Sequence, residues 1–184
     1  RAGFSPGKED AMAEHYYTNV SNIREFFDTI EKHGDKAVFV WKESSVMHEM
    51  SYTEFVTLAK QLMKGFAETF GTNGTRIAVI GETSPYWVAA YTAIIASGNT
   101  AVPMDKELDP KQIAGFFSTA EVAGVVFSKT FNKVFPEMID SHDTLRCLIP
   151  LDDEGMEPSE DVISLSRLAT VGLNSDLIIE PDNN

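Results

Sequence analysis

From Arg76 onward, short apolar runs alternate with helical patterns, and no other feature constrains the fold as tightly. Residues 76–80 (Arg-Ile-Ala-Val-Ile) read as a buried strand, nearly all apolar as a sheet covered on both faces requires. Thr83 or Ser84 can cap a helix with Pro85 in its first turn, running to Gly98. Residues 100–104 form a second strand. Asp109 and Pro110 open a helix whose Ile113, Phe116 and Phe117 are expected to face inward. Residues 124–128 read as a third strand, 131–140 as a helix, 145–149 as a fourth strand and 164–173 as a last short helix. Strands separated by single helices are forced parallel, with helices on the faces. The expected fold class is α/β, a doubly wound, mostly parallel sheet with flanking helices.

A helix and a β-hairpin precede this layer. Ile23, Phe26, Phe27 and Ile30 recur at helical spacing after Ser21 and Asn22, either of which can cap, and Gly34 supplies the stop. Residues 37–42 and 46–50 are β-prone runs joined by Glu43, Ser44 and Ser45. Ser51-Tyr52-Thr53-Glu54 has capping-box spacing, and Phe55, Leu58, Leu62, Met63, Phe66 and Phe70 line one face of the helix that follows. Residues 1–20 lack sustained periodicity and read as an irregular leader, so the folded unit is expected over 21–184.

Composition narrows the partners. Net charge is -13, from 28 acidic and 15 basic residues, a surface that repels phosphate backbones and anionic lipid. Nucleic acid is not an expected partner. No apolar run approaches the roughly 20 residues of a membrane span, and the first residues carry no signal-peptide pattern. One cysteine, Cys147, fits a reducing compartment, with cytoplasm as the expectation; in a predicted strand it reads as a buried thiol.

Several segments invite a functional reading and have a plainer one. Gly71-Thr72-Asn73-Gly74-Thr75 resembles a phosphate loop in composition but runs from helix into strand, whereas phosphate loops run from strand into helix. A helix stop and an Asn-Gly turn explain it. Gly81-Glu82-Thr83-Ser84-Pro85 has the right strand-to-helix order yet lacks the repeated glycines that let backbone approach pyrophosphate, so it reads as a turn with a helix cap. His15, His33, His48 and His142 show no shared ligand spacing. Trp87 and Tyr91, four apart, read as packing. Asn19-Val20-Ser21 and Asn73-Gly74-Thr75 match the glycosylation pattern without a secretory signal beside them. The residues by themselves reach an α/β domain and no further.

Five segments in order resemble the start of the adenylate-forming superfamily, the acyl-CoA synthetases, luciferases and peptide-synthetase adenylation domains. They are the helix from Asn22 to Phe27 leading to Gly34-Asp35-Lys36-Ala37, then Ser51-Tyr52-Thr53-Glu54-Phe55, Gly74-Thr75-Arg76-Ile77-Ala78-Val79, Ser84-Pro85-Tyr86-Trp87, and Ala96-Ser97-Gly98 with Val102-Pro103-Met104-Asp105. Thr75, Thr83 and Lys106 depart from the family pattern. The resemblance implies the amino-terminal subdomain of an acetyl-CoA synthetase-like fold. It also implies a parent enzyme that joins a carboxylic acid, a fatty acid above all, to CoA through an acyl-adenylate, with ATP, magnesium and CoA as its reactants and cofactors. Glu180-Pro181-Asp182-Asn183 resembles the lead-in to the family's ATP loop. The expectation is therefore a chain that ends just before that loop, holds no cofactor and no catalytic residue itself, makes no adenylate alone, and exposes apolar surface to the remainder of its own chain. Thr83, Ser84 and Trp87 are the residues nominated to line the acyl side. Two other readings stay open: an adenylating enzyme that loads a carrier-protein thiol, and a noncatalytic α/β ligand-binding or interaction module.

Overall fold

The computed structural model describes residues 19–152, 154–156 and 159–179. The expected leader, apart from its last two residues, and the segment 180–184 lie outside the described residues. Helix α1 (Ile23–Ile30) is capped by Asn22, whose side chain accepts from the amides of Arg24 and Glu25. A short 3-10 turn follows, and Gly34 leaves it at φ 62°. Strands β1 (Ala37–Glu43) and β2 (Val46–Ser51) pair antiparallel around Ser44 and Ser45, both at positive φ, which matches the twist of a tight hairpin. Ser51 and Glu54 form the expected capping box of α2 (Tyr52–Phe70).

The second layer is the parallel sheet. It comprises β3 (Arg76–Ile80), β4 (Thr100–Met104), β5 (Gly124–Phe127) and β6 (Cys147–Pro150), in the spatial order β4-β3-β5-β6. The connecting helices are α3 (Pro85–Ala96), α4 (Pro110–Ala120) and α5 (Val134–Ile139), and α6 (Leu165–Leu173) follows β6. The chain steps outward from β3 to β4, then crosses back past β3 to β5. Crossovers keep one hand, so that reversal moves the helices to the other face. The two cores record this. Ile77, Val79, Val126, Cys147 and Ile149 pack with α1, α2, α3 and α6, while Ala78, Ile80, Val125, Phe127 and Leu148 pack with α4 and α5. The doubly wound parallel sheet is thus as expected.

Several element boundaries differ from the sequence reading by one to three residues, and one side chain is turned the other way. The third strand ends at Phe127, because the Ser128 amide makes a last bond to the Ile80 carbonyl and the chain then turns into a 3-10 segment. The helix expected over 131–140 is only Val134–Ile139. Pro136 has no N–H to give, so it is tolerated only in a first turn, and that sets the start. The fourth strand begins at Cys147 rather than Leu145, since the Arg146 amide is spent on the Ala123 carbonyl at the turn into the ladder. Phe116, expected inside, is 53% exposed; Ile113 and Phe117 fill the interior side of α4 by themselves.

Helices α2 and α6 cross with almost no spacing. A Cβ on Gly65 would lie 2.2 Å from the Leu168 carbonyl oxygen, and one on Gly172 would lie 1.8 Å from that of Gln61. Glycine at both points lets the two backbones touch, which buries Leu165 and Leu168 against the sheet-facing side of α2. Beyond α6 the chain continues along α2 and reaches α1, where Lys64 Nζ donates to the Ser175 carbonyl and Arg24 donates to that of Ile179. Among the described residues no helix is long and apolar enough to cross a membrane.

Candidate functional site

In an open parallel sheet, ligands bind outside the carboxyl ends of the strands where the strand order reverses. Here that point lies between β3 and β5. Two loops meet there, Gly81-Glu82-Thr83-Ser84 after β3 and Ser128-Lys129-Thr130 after β5, and Lys106 approaches from the loop after β4.

The loop geometry begins with Gly81, at φ 136°. A Cβ there would sit 2.5 Å from Ser128 Oγ, so the glycine lets the β3 loop lie directly on the β5 loop. Thr130 Oγ1 donates to the Glu82 carboxylate at 3.3 Å, and Lys106 Nζ lies 3.8 Å from it. Glu82 is held below the usual carboxylate range, chiefly by the Ser128 hydroxyl, with its own backbone amide, the Lys106 charge and Thr130 adding to the effect against a desolvation cost. Ser128 is 7% exposed, and its hydroxyl faces the Glu82 carboxylate.

Beside β5 the edge opens into a cavity of about 420 Å³ lined by Lys129, Thr130, Asn132, Lys133, Glu154 and Gly155. Asn132 Nδ2 donates to the Glu154 carbonyl while its Oδ1 is buried without a partner. A cavity of about 510 Å³ lies at the opposite, amino edge of the sheet, around Arg24, Asn73 and Thr100. It is the roomier, but Arg24 is turned to the Ala96 and Ile179 carbonyls, and the buried Asn99 there is fully bonded. The buried, unpartnered Oδ1 of Asn132 favours the carboxyl edge.

The structure places the three nominated residues near this edge in different roles. Thr83 is exposed on the β3 loop. The Ser84 hydroxyl caps α3 by accepting from the Trp87 amide at 3.1 Å. Trp87 stacks on Tyr91 with centroids 5.4 Å apart and planes 9° apart, and its Nε1 is buried without a partner. Tyr86, one residue earlier, meets Trp41 edge-on, so the hairpin flanks the start of α3. The sequence reading missed Glu82, Lys106, Ser128 and Thr130 as one group. Polar residues directly after apolar strands were the available signal, but that β3 and β5 are neighbours is a matter of topology.

The other candidates take structural roles. Cys147 is buried and its thiol is pushed up to about 11, mainly by desolvation. The loop from Gly71 to Thr75 is tied to the α3–β4 turn: the Gly74 amide donates to the Gly98 carbonyl, and the Thr75 amide to Asn99 Oδ1. His33 packs on Tyr52, His48 on Trp41, and His142 sits between α4 and α5 against the Ala114 and Met138 carbonyls. His15 lies outside the described residues. Among the described residues no three His, Cys, Asp or Glu side chains converge to hold a metal ion.

A family model described as AMP-binding enzyme matches residues 26–181, most of the chain. This chain belongs to that family. The AMP-binding chain is 23% identical over 113 residues to a human long-chain-fatty-acid–CoA ligase, ACSBG1, a match covering 60% of this chain and 16% of the relative. Among solved structures it resembles the A-PCP didomain of a carboxylic acid reductase from Segniliparus rugosus, with TM-score 0.75 and 16% identity over 95% of this chain and 30% of that one. It also resembles a Rhodopseudomonas palustris protein named as a long-chain-fatty-acid CoA ligase, with TM-score 0.69 and 14% identity over 88% of this chain and 38% of that one. The solved structures show the same fold, an α/β unit with a parallel four-stranded sheet flanked by helices. The AMP-binding chain spans well under half the length of each of these proteins.

Proposed function

We propose that this chain supplies the sheet platform of an acid–thiol ligase that activates a carboxylic acid, a fatty acid by preference, with ATP and passes the acyl group to CoA. The observation that carries the reading is the carboxyl edge at the strand reversal, where Ser128, Glu82, Thr130 and Lys106 converge, in a chain that an AMP-binding family model matches over residues 26–181. The likeness to a fatty-acid–CoA ligase supports the substrate class. In this reading Thr83 and Trp87 border the acyl side, and Ser84 fixes the helix that presents Trp87.

The 184-residue chain by itself makes no adenylate in this proposal. Attack of a carboxylate on an α-phosphate needs positioned donors, a metal ion and cations around the developing charge. The described edge offers hydroxyls and paired charges, a set suited to binding. A carrier-protein thiol as acceptor is the second reading, in keeping with the likeness to a carboxylic acid reductase whose solved didomain joins an A domain to a PCP.

The test is carboxylate-dependent ATP–pyrophosphate exchange, run on the enzyme that carries this chain and on the 184-residue chain. Exchange with fatty acids by the former, and thioester formation with CoA, are expected. Exchange by the short chain above a buffer control would refute its inactivity. Absence of exchange by the folded enzyme with every carboxylic acid tried would refute the ligase reading.

A further inference from the structure

The loop into β3 carries a chemistry that the ligase reading leaves unused. Asn73 is followed by Gly74, the sole Asn-Gly pair in the chain. Asn73 is exposed, and among the described residues no hydrogen bond holds its carboxamide. Glycine in the next position leaves its amide nitrogen unshielded by any Cβ. An asparagine in that setting cyclises. The Gly74 nitrogen attacks Asn73 Cγ and a new C–N bond closes a five-membered succinimide. The Cγ–Nδ2 bond breaks, and Nδ2 leaves as ammonia with the proton the Gly74 nitrogen gives up. Water then opens either imide carbonyl, to aspartate or to isoaspartate. Neither step needs a cofactor or an oxidant.

We infer that Asn73 is the site of spontaneous succinimide formation in this protein, at a rate set by opening of the hydrogen bond from the Gly74 amide to the Gly98 carbonyl. That bond is 2.9 Å long and engages the very nitrogen that must attack. Two further ties hold the loop closed, Thr75 N to Asn99 Oδ1 at 3.1 Å and Asn99 Nδ2 to the Gly71 carbonyl at 2.8 Å. Cyclisation therefore proceeds from a locally opened loop.

The other described asparagines are held or shielded. Asn99 is 7% exposed, with both ends of its amide bonded. Asn22 caps α1, Asn132 donates to the Glu154 carbonyl, and Asn174 to that of Thr170. Asn19 precedes β-branched Val20, and Asn183, outside the described residues, precedes another asparagine. Conversion at Asn73 sets a carboxylate on the rim of the amino-edge cavity that Arg24 also lines. In the isoaspartyl product an extra backbone methylene falls between the ties at Gly71 and Gly98.

The experiment ages the intact chain at mildly alkaline pH and follows each asparagine by peptide mass mapping and isoaspartyl methyltransferase labelling. Asn73 is expected to convert first, and about tenfold faster when the chain is unfolded in urea, since the loop is then open. Asn73→Ser is expected to abolish native-state labelling with melting unchanged. Earlier conversion of another asparagine in the folded chain, equal rates at Asn73 with and without urea, or undiminished labelling of the Asn73→Ser chain would each overturn the inference.

Discussion

Replacing Gly65 by alanine is expected to destabilise the fold, although in an ordinary helix the same change stabilises. Interior glycine costs a helix roughly 0.5–1 kcal/mol relative to alanine, so the isolated effect favours Gly65→Ala. At the α2–α6 crossing, however, the new methyl would lie 2.2 Å from the Leu168 carbonyl oxygen and 3.0 Å from its carbonyl carbon, whereas ordinary contact begins near 3.4 Å. The obstacle is backbone, so no rotamer change relieves it, and α6 must retreat by about 1 Å. A gap of that size forfeits a quarter to a half of each affected dispersion contact. The side chains that lose them, Leu165 and Leu168, are 3% and 0% exposed. Overpacking of this kind costs about 1–3 kcal/mol, more where backbone is the obstacle, and the helical gain subtracts from it. A net loss of about 2 kcal/mol is expected by urea unfolding, as a lower midpoint at unchanged slope. Gly115→Ala is the matched control. Nothing lies within 4 Å of its Cβ, so it is expected to gain about 0.5–1 kcal/mol. A Gly65→Ala chain as stable as the parent would refute the argument from close backbone contact.

Gly81→Ala should lose about 1–3 kcal/mol through its clash with Ser128 Oγ and its φ of 136°, seen as a lower urea midpoint, and Gly81→Ser should not rescue it. Glu54 is held below the ordinary glutamate range, first by the Ser51 amide and then by the Ser51 hydroxyl. A depressed folded pKa contributes stability that is complete above the unfolded value and is lost as pH falls through the folded one. Glu54→Gln should therefore lower the urea midpoint at neutral pH and converge with the parent in acid; an offset that persists in acid would contradict this. Cys147, with its thiol at about 11, should resist maleimide at neutral pH until the chain is unfolded, and rapid native labelling would contradict its burial.

The parts of the fold that sequence discloses are those set within a few residues. Ser51-Tyr52-Thr53-Glu54 forms the capping box its spacing implies, and the same pattern at Asp109-Pro110-Lys111-Gln112 forms a second box, legible but read only as a helix opening. Pro136 could have placed the start of α5, and Phe116 shows that an apolar residue at helical spacing still faces out when Ile113 and Phe117 fill the available interior. What stayed hidden depends on residues far apart in the chain. Gly65 and Gly172 look like ordinary helix interiors until their helices cross, and Glu82 and Ser128 look like separate loop residues until β5 docks beside β3. Thr83, Ser84 and Trp87 were legible as neighbours of a strand end; that Ser84 is consumed as a cap follows from the Ser-Pro helix start.

If the ligand side of this platform is the carboxyl ends of β3 and β5, Thr83 stands on its rim and Asn73 at the far end of the same sheet. Both residues are exposed, so tryptophan can be introduced at either without disturbing a core. In the enzyme that carries this chain, Thr83→Trp should lower kcat/KM for the acid at least about tenfold, roughly 1.4 kcal/mol of lost transition-state binding, with melting unchanged. Asn73→Trp should leave kcat/KM as it was. Full activity in Thr83→Trp together with a loss in Asn73→Trp would put the ligand at the wrong end of the sheet and contradict the account.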